Sequence, residues 1–268
     1  MTNQPDPDCP TTIAAIYPSL ERAPSAASAT CPGIQPSHQA SRVDHYTDNG
    51  DIHLIAAIAD GRPANTDSGL LAQAAVQIAI SQGATVDHRT HPGRLIALTR
   101  AVLPEIGDFT DTNPHVFYDF TDYYIPDRAD TTLLIATADN TGALHISWVG
   151  DTRAAVLTAD GQFRTLTTDD TYEDEDGHTF LTRSLGFGPP EHVWWSPSRT
   201  GNRACRVLLS TSGLHGPLTD AEIISILSTV TDPAQAASDL ARQATQADGT
   251  SADNVTALII DIPPPDTP

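Results

Sequence analysis

Residues 146–171 of this chain are ISWVGDTRAAVLTADGQFRTLTTDDT, and they carry its clearest strand and turn signals. Two apolar runs, Leu144–Val149 and Arg153–Thr158, are separated by a polar Gly-Asp-Thr turn. A second turn, Asp160-Gly161, leads into Gln162–Leu166. An Asp-Gly pair between two such runs is among the strongest short-range signals for a β-hairpin. The stretch therefore predicts three consecutive antiparallel strands.

More strands and two pairs of helices flank this block. Continuous apolar runs bounded by turn residues predict strands, and apolar residues at near-helical spacing predict helices. The further predicted strands are a short edge strand within Thr12–Tyr17, then His53–Ala59, Thr131–Asp139, Val193–Ser196, Val207–Ser210 and Val255–Ile262. The predicted helices are Ser68–Gln82, Pro92–Leu103, Asp220–Ser228 and Asp232–Ala247.

The order of these elements predicts an α+β fold. Hairpin spacing between the strands implies antiparallel sheets, and helices that come in pairs suit two stacked sheets with a helical layer on each outer face. We expect one domain over residues 36–262. Residues 1–35 are rich in Pro, Ser, Ala and Thr, and we expect them to be disordered apart from the edge strand. The Pro-rich tail 263–268 is expected to be disordered as well.

The charge of the chain is strongly negative. It has 34 acidic and 14 basic residues, all of the latter Arg, and a formal charge of −20. Nucleic acids and anionic membranes are excluded as partners, because both require a basic surface. Most of the carboxylates are expected to form a solvated surface, and a few of them are candidates for holding divalent cations through oxygen ligands.

The cysteines and the N-terminus indicate the compartment. Cys9, Cys31 and Cys205 are far apart and form no zinc-binding or disulfide pattern, which favours a reduced location such as the cytoplasm. Residues 1–10 contain no apolar segment typical of a signal peptide, and no apolar run approaches the length of a membrane span.

Three aspartates lie at the ends of predicted strands. Asp60-Gly61 follows a buried strand, Asp151 occupies the turn between two strands, and Asp253 precedes the last strand. A carboxylate at a strand end is rigidly held and can bind a cation, and a following Gly lets its carbonyl approach a ligand. Asn254 is positioned to orient Asp253. Each aspartate taken alone is more typical of an ordinary turn.

Taken in order, five segments resemble the metal-dependent type-2C (PPM) serine/threonine protein phosphatases. These segments are AIADG at 57–61, the block 146–171 with its GDTR, FLTRSLG at 180–186, RVLLSTSGLHGPLTDAEI at 206–223 and SADNVTALIIDI at 251–262. The family counterparts are AVADG, GDSR followed by LTxDH, xLTRALG, RxLLCSDGLxDxLSDEEI and GGSDNITVIVVDI. The resemblance spans roughly residues 40 to 262 and implies the same sandwich fold.

The resemblance also implies hydrolysis of phosphoserine and phosphothreonine in a phosphoprotein substrate. Two Mn²⁺ or Mg²⁺ ions would activate a water for attack on phosphorus. By the same resemblance, Asp60 matches the carboxylate that bridges the ions, and the Gly61 carbonyl matches a ligand of one ion. Asp253 matches a ligand of the other ion, and Asp151 matches the aspartate associated with a third, weaker ion.

Several positions depart from the family pattern. The aspartate of the family's SDG is Ser212 here, and a hydroxyl is a much poorer ligand for Mg²⁺ or Mn²⁺ than a carboxylate. His215 would replace it only if its loop bends back. The altered loop after Asp60 places Arg62 beside the site as a candidate phosphate ligand.

The upstream carboxylate of the family has two candidate positions. Asp44 lies 16 residues before Asp60 and would supply the ligand, with Arg42 as a phosphate ligand beside it. In the other register, the segment 38–41 matches the motif and Ser41 has replaced the ligand.

Two functions follow, with a third reading behind them. The leading hypothesis is a metal-dependent protein phosphatase, and the alternative is a pseudophosphatase that binds a phosphoprotein or another partner without hydrolysis. Retention of Asp60 and Asp253 favours the first, and Ser212 favours the second. A plain acidic binding domain unrelated to phosphate is the third reading, which the ordered motifs disfavour.

Overall fold

The computed structural model describes residues 11–12, 24–31, 39–48, 51–62, 67–83, 94–106, 129–138, 143–186, 188, 190–195, 205–249 and 253–262. The strands in these ranges are β1 (Thr11–Thr12), β2 (Ser25–Cys31), β3 (Gln39–Asp48), β4 (Asp51–Asp60), β5 (Leu133–Ala138), β6 (Leu144–Val149), β7 (Arg153–Thr158), β8 (Phe163–Thr165), β9 (Thr171–Glu173), β10 (Thr179–Leu181), β11 (Glu191–Trp195), β12 (Cys205–Ser210) and β13 (Val255–Ile262). The helices are α1 (Asp67–Gly83), α2 (Arg94–Ile106), α3 (Ser212–His215), α4 (Asp220–Thr229) and α5 (Pro233–Asp248).

The strands form two antiparallel sheets and one separate hairpin. The six-stranded sheet has the order β1-β2-β13-β12-β7-β8, and the five-stranded sheet has the order β11-β6-β5-β4-β3. The strands β9 and β10 pair only with each other. The connection between β6 and β7 carries the chain from one sheet to the other. The predicted α+β sandwich is therefore confirmed.

Alternating residues of the central strands build separate cores. On β4, Leu54, Ala56 and Ile58 face the other sheet, whereas Ile55, Ala57 and Ala59 pack against α1 and α2. On the six-stranded sheet, the outer face packs against α3, α4 and α5. A strand buried on both faces needs apolar residues at every position, which explains its continuous apolar run.

The late helices begin where their capping residues predict. Thr219 accepts from the backbone of Glu222, whose side chain returns the bond and completes a capping box before α4. Asp232 caps α5 with Pro233 in its first turn. Within the described residues, no helix is both long enough and apolar enough to cross a membrane.

The N-terminal segment contains more structure than the sequence predicted. β2 lies inside residues 1–35, which we expected to be disordered, yet it is buried and pairs with β13 along its length. That expectation is wrong for Ser25–Cys31, because small residues there fit between β13 and α5 without an apolar pattern that would announce a strand. β1 lies at the sheet edge, as predicted for the start of Thr12–Tyr17. Residues 1–10, 13–17 and the tail 263–268 lie outside the described residues.

Candidate active site

Four chain segments meet at one end of the sandwich. They are the end of β4 at Asp60, the β6–β7 turn with Asp151, the β12–α3 junction with Ser212, and the start of β13 after Asp253. The register brings them level, because Ser210 pairs with both Arg153 and Ala257. Thr132 accepts from the backbone N–H of Asp60 at 3.0 Å and thereby ties β4 to β5.

The carboxyl group of Asp60 lies at the centre of this end. Burial raises its pKa well above the usual range, and the nearby carboxylates of Asp253 and Asp151 raise it further. Hydrogen bonds from Gln39 and Ser212 act in the opposite direction. Asp60, Asp151 and Asp253, which are distant in sequence, are thus close enough to repel one another in one pocket.

Asp253 is held at the rim of the pocket by the backbone. It is exposed, its Oδ1 accepts from the backbone N–H of Asn254 at 2.7 Å, and its own N–H donates to Asp248 at 3.1 Å. Asn254 is buried and directly precedes β13. An orienting effect of Asn254 on Asp253 therefore runs through the backbone amide.

The β6–β7 turn that carries Asp151 is packed against β5. Gly150 has φ +104°, and a Cβ there would lie 2.4 Å from the Thr132 Cγ2 atom. The Thr152 hydroxyl donates to the Thr132 hydroxyl at 2.8 Å. Only glycine fits both the backbone conformation and the space, so the turn holds Asp151 in a fixed position.

The surroundings of Asp151 raise the pKa of its carboxyl group. Burial raises its pKa to about 6, and Asp169 and Asp253 add to the increase. Arg153 is nearby, but its guanidinium donates to both Asp169 oxygens at 2.8 and 2.7 Å. The available cation is therefore shared, and the pocket keeps an excess of negative charge.

We expect Asp151→Asn to stabilise the metal-free protein at pH 7 and to have little effect at pH 4. The folded state holds the Asp151 proton more tightly than the unfolded state. The free energy of unfolding therefore falls as pH rises from about 4 to about 6, and it stays lower above pH 6. Removing the charge should recover about 1 to 2 kcal/mol. Urea unfolding in EDTA measures this, with exposed Glu175→Gln as the control. An equal effect at both pH values would contradict the prediction.

Gln39 is a site residue that the sequence analysis did not identify. Its Nε2 donates to Asp60 Oδ2 at 3.0 Å and also to the Asn254 carbonyl, while its Oε1 accepts from the Thr256 hydroxyl at 2.7 Å. Two partners are acceptors, Asp60 and the Asn254 carbonyl, and the Thr256 hydroxyl is a donor. The side-chain amide therefore satisfies all three only when its NH₂ group points toward Asp60. The Gln39 amide thus joins the two sheets beside Asp60. Gln39 and its three partners, Asp60, Asn254 and Thr256, are called the Gln39 clamp.

Ser212 and His215 lie on the short helix α3. The Ser212 hydroxyl hydrogen-bonds to Asp60, whereas His215 Nδ1 lies 3.0 Å from the Ser210 hydroxyl. Burial, with help from Arg153, lowers the pKa of His215 to about 3, so the ring is neutral. Its described contact is with Ser210 and not with Asp60, and nothing in the loop makes it a replacement for the missing aspartate.

The upstream residues proposed from the sequence are not brought to the pocket. Asp44 is exposed and pairs with Ile55, five residues before Asp60 on β4 and therefore roughly 16 Å along the strand. It also faces away from the other sheet, as does Arg42, which donates to Gln77 on α1 at 2.5 Å. The assignments of Asp44 as metal ligand and Arg42 as phosphate ligand are therefore wrong.

In the alternative register, the residue beside Asp60 is Gln39, which lies two residues before the proposed Ser41. Ser41 donates to Ser28 of the facing sheet at 3.1 Å, and it is Gln39 that pairs with Asp60. The HQAS segment offered a way to find Gln39, because residues two apart on a strand point to the same face and Gln39 lies two residues before Ser41.

Gly61 and Arg62 continue from Asp60. The Asp60 carbonyl and the Arg62 N–H bond to Thr132 and Asp130, both at 2.9 Å, on either side of the Gly61–Thr131 bridge. In this antiparallel geometry, the Gly61 carbonyl points away from Thr131. Gly61 as an ion ligand and Arg62 as a phosphate ligand stay predictions.

The donors present do not fit a centre of two divalent ions. Mg²⁺ requires about six oxygen ligands in near-octahedral geometry. The Asp60 carboxylate already accepts from a Gln39 N–H and from Ser212, and neither an amide N–H nor a hydroxyl proton binds a cation. In the described part of the chain, the three acidic or His side chains with ligand atoms within 4.8 Å of one another are Asp174, Asp176 and His178, and not the pocket trio. These contacts favour fewer than two ions, and the number of ions that the pocket holds stays a prediction.

The flap between β8 and β11 is fastened to the site end of the fold. Buried Asp170 accepts from the Gly150 N–H at 2.9 Å and from Arg183 at 2.5 Å. At the flap tip, Asp174 accepts from the backbone N–H groups of Asp176 and His178, which closes a tight turn. The sequence analysis did not predict this anchoring by Asp170.

Comparison with protein-family models gives a match to protein phosphatase 2C over residues 38–247. The chain belongs to the protein phosphatase 2C family. No curated protein matches it in a sequence comparison. The family predicted from the motifs is therefore confirmed.

Solved serine/threonine phosphatases of this family share the fold at low sequence identity. A bacterial serine phosphatase is 17% identical, with a TM-score of 0.68 over 90% of this chain and 99% of that one. The PPM phosphatase MsPP from Mycobacterium smegmatis, in complex with cacodylate, is 22% identical, with a TM-score of 0.64 over 89% and 98%. The catalytic domain of PstP, in complex with two manganese ions, is 20% identical, with a TM-score of 0.62 over 89% and 97%.

Proposed function

We propose that this member of the protein phosphatase 2C family is a pseudophosphatase. It keeps the acidic pocket but does not hydrolyse phosphoserine or phosphothreonine by the two-ion reaction. The observation that supports this most directly is the double hydrogen bonding of Asp60 by Gln39 and Ser212. A carboxylate that has to bridge two ions is here satisfied by neutral donors from this chain.

The electrostatics of the pocket limit what it binds. Asp60, Asp151 and Asp253 repel a phosphate dianion, and Arg153 is already paired with Asp169. A bound divalent ion would supply the positive charge that phosphate needs, and the pocket carboxylates are the residues that would hold it. We therefore propose weak binding of a single Mn²⁺ or Mg²⁺ ion, with a cytoplasmic phosphoprotein as a partner that depends on that ion.

A metal-dependent phosphatase is the second candidate. The meeting of Asp60, Asp151 and Asp253 in one pocket favours it, because these are the carboxylates that the family resemblance assigns to ions. If an ion displaces the Gln39 and Ser212 donors from Asp60, part of the family chemistry becomes available.

Calorimetry and a turnover assay on the same preparation separate the two candidates. For the wild-type chain with Mn²⁺, we expect a stoichiometry of one or less. Hydrolysis of p-nitrophenyl phosphate and a phosphothreonine peptide should be no faster than with Asp60→Asn. Mn²⁺-dependent turnover that Asp60→Asn abolishes would establish the phosphatase and remove the pseudophosphatase.

A further inference from the structure

The β9–β10 hairpin of the flap presents an exposed aromatic face. Tyr172 and Phe180 are directly opposed in the register, and they are 59% and 37% exposed. The His178 ring lies beside Phe180, with 6.4 Å between the ring centroids, and its Nδ1 atom is 3.3 Å from Asp174 Oδ2. These four side chains share one side of the hairpin, and together they are called the flap face.

The exposure of these two rings sets the flap apart from the rest of the surface. In the part of the chain that the structure describes, Leu70 on α1 is the other large hydrophobic side chain that is exposed. A cross-strand aromatic pair stabilises a hairpin, yet both rings here also stay open to solvent. Neighbouring exposed apolar side chains rimmed by polar groups are typical of an interaction surface, and aromatic residues are enriched at protein interfaces.

The charge of the hairpin selects the kind of partner. Residues 171–182, TYEDEDGHTFLT, contain four consecutive acidic residues and no Lys or Arg. The carboxylates of Asp174 and Asp176 have oxygens within 4.8 Å of each other and of a His178 ring nitrogen, so negative charge lies next to the flap face. A second copy of this chain would bring the same acidic hairpin and a charge of −20, and an anionic lipid surface would be repelled as well. The surface therefore suits a basic polypeptide.

We propose that the flap face binds an Arg-containing segment of a partner protein. A guanidinium is planar, so it stacks on an aromatic ring while its N–H groups donate to a carboxylate beside the ring. Tyr172 and Phe180 supply the rings, and the carboxylates of the hairpin tip supply the acceptors. Lys gains less from such a surface, because its ammonium group is compact and strongly hydrated.

The root of the hairpin connects this surface to the acidic pocket. Asp170 accepts from the N–H of Gly150, in the turn that carries Asp151, and its backbone bonds to Gly150 and Thr182. A segment bound to the flap face is therefore attached to the element that positions one pocket carboxylate. The binding itself requires no metal ion and no phosphate, so it does not depend on whether the pocket is catalytic.

Fluorescence anisotropy in EDTA tests the proposal on the full-length chain with two labelled decapeptides, one of alternating Ala and Arg and one of alternating Ala and Lys. We expect the Arg peptide to bind more tightly. Tyr172→Thr/Phe180→Thr, which keeps residues that favour a strand, should weaken its binding by about threefold to tenfold. The controls Leu70→Thr and Asp60→Asn should bind it like the wild type. Equal binding of the two peptides, or an equal loss in either control, would overturn the proposal.

Two charge variants separate the flap from the overall charge of the chain. Glu175→Gln/Asp176→Asn removes two carboxylates from the hairpin tip, and Asp44→Asn/Asp67→Asn removes two exposed carboxylates elsewhere. In low salt, we expect the first variant to weaken binding of the Arg peptide by about threefold to tenfold and the second by less than about twofold. Equal losses would show that the peptide follows the net charge, and the flap face would then not be its site.

Discussion

Replacing Gln39 by Glu and Ser212 by Asp together should convert the pocket into one that binds Mn²⁺ tightly. Both changes remove a donor from Asp60 and place a carboxylate where it was. Oxygen ligands with negative charge are what hard divalent ions prefer, so Mn²⁺ affinity should rise by about tenfold to a hundredfold. Each single variant should give a smaller increase, because only one of the two donors is removed.

The added charge also changes stability in opposite directions with and without metal. In EDTA the double variant should be less stable than the wild type, because more carboxylates repel one another around Asp60. With Mn²⁺ it should become the more stable of the two, since a ligand that binds only the folded state stabilises that state. Urea unfolding and calorimetry measure both effects without depending on activity.

The control is Arg42→Glu, which changes the net charge by the same two units. Arg42 lies on the helix-facing side of β3, bonded to Gln77, and it does not contact the pocket. We expect no gain of Mn²⁺ affinity from it. A similar gain in the control would show that overall charge, and not the two positions, determines ion binding. If the gain is confined to the double variant, p-nitrophenyl phosphate tests whether that variant also hydrolyses phosphate esters.

Removing the carboxylate of Asp170 should produce the largest loss of stability. Asp170 is buried, and its oxygens accept from Gly150 N–H and from Arg183, while its backbone bonds to Gly150 and Thr182. Asp170→Ala removes the ion pair with Arg183 and leaves the buried Gly150 N–H without this acceptor, which costs about 3 to 5 kcal/mol. Because the Gly150 turn carries Asp151, the pocket should loosen together with the flap.

Urea unfolding measures this loss, and the surface ion pair of Arg242 with Asp239 provides the control. Asp239→Ala should cost less than about 1 kcal/mol, because exposed pairs contribute little. The double variant Asp170→Ala/Arg183→Ala should cost less than the sum of the single changes, since each single change already removes the interaction between the two side chains. A cost for Asp170→Ala no greater than for Asp239→Ala would refute the anchoring role.

The elements with strong local patterns were predictable from the sequence. The run around Leu54–Ala59, the Asp160-Gly161 turn and the Thr219 capping box each specify their structure through nearby residues. β2 and β3 were missed, because SAASATC and QASRVDHYTD have neither a clear apolar run nor clean alternation. Their strand conformation comes from pairing: β2 pairs with β13, which is distant in sequence, and β3 pairs with β4, which has a strong strand pattern of its own.

The site was predictable only in part for the same reason. Asp60, Asp151 and Asp253 were found because each follows or precedes a recognisable strand. Asp44 was chosen for its carboxylate, but without the β3–β4 register its face and depth could not be known. Gln39 was overlooked because its importance comes from three partners in other segments, namely Asp60, Asn254 and Thr256.

Anomalous scattering at the manganese edge, from a crystal of the wild-type chain grown with Mn²⁺, would show how many ions the pocket holds. We expect at most one manganese peak in the pocket, with the Gln39 amide still within hydrogen-bonding distance of the carboxylate of Asp60. Two peaks bridged by Asp60, with Gln39 and Ser212 displaced from it, would contradict the claim that neutral side chains have replaced the second ion.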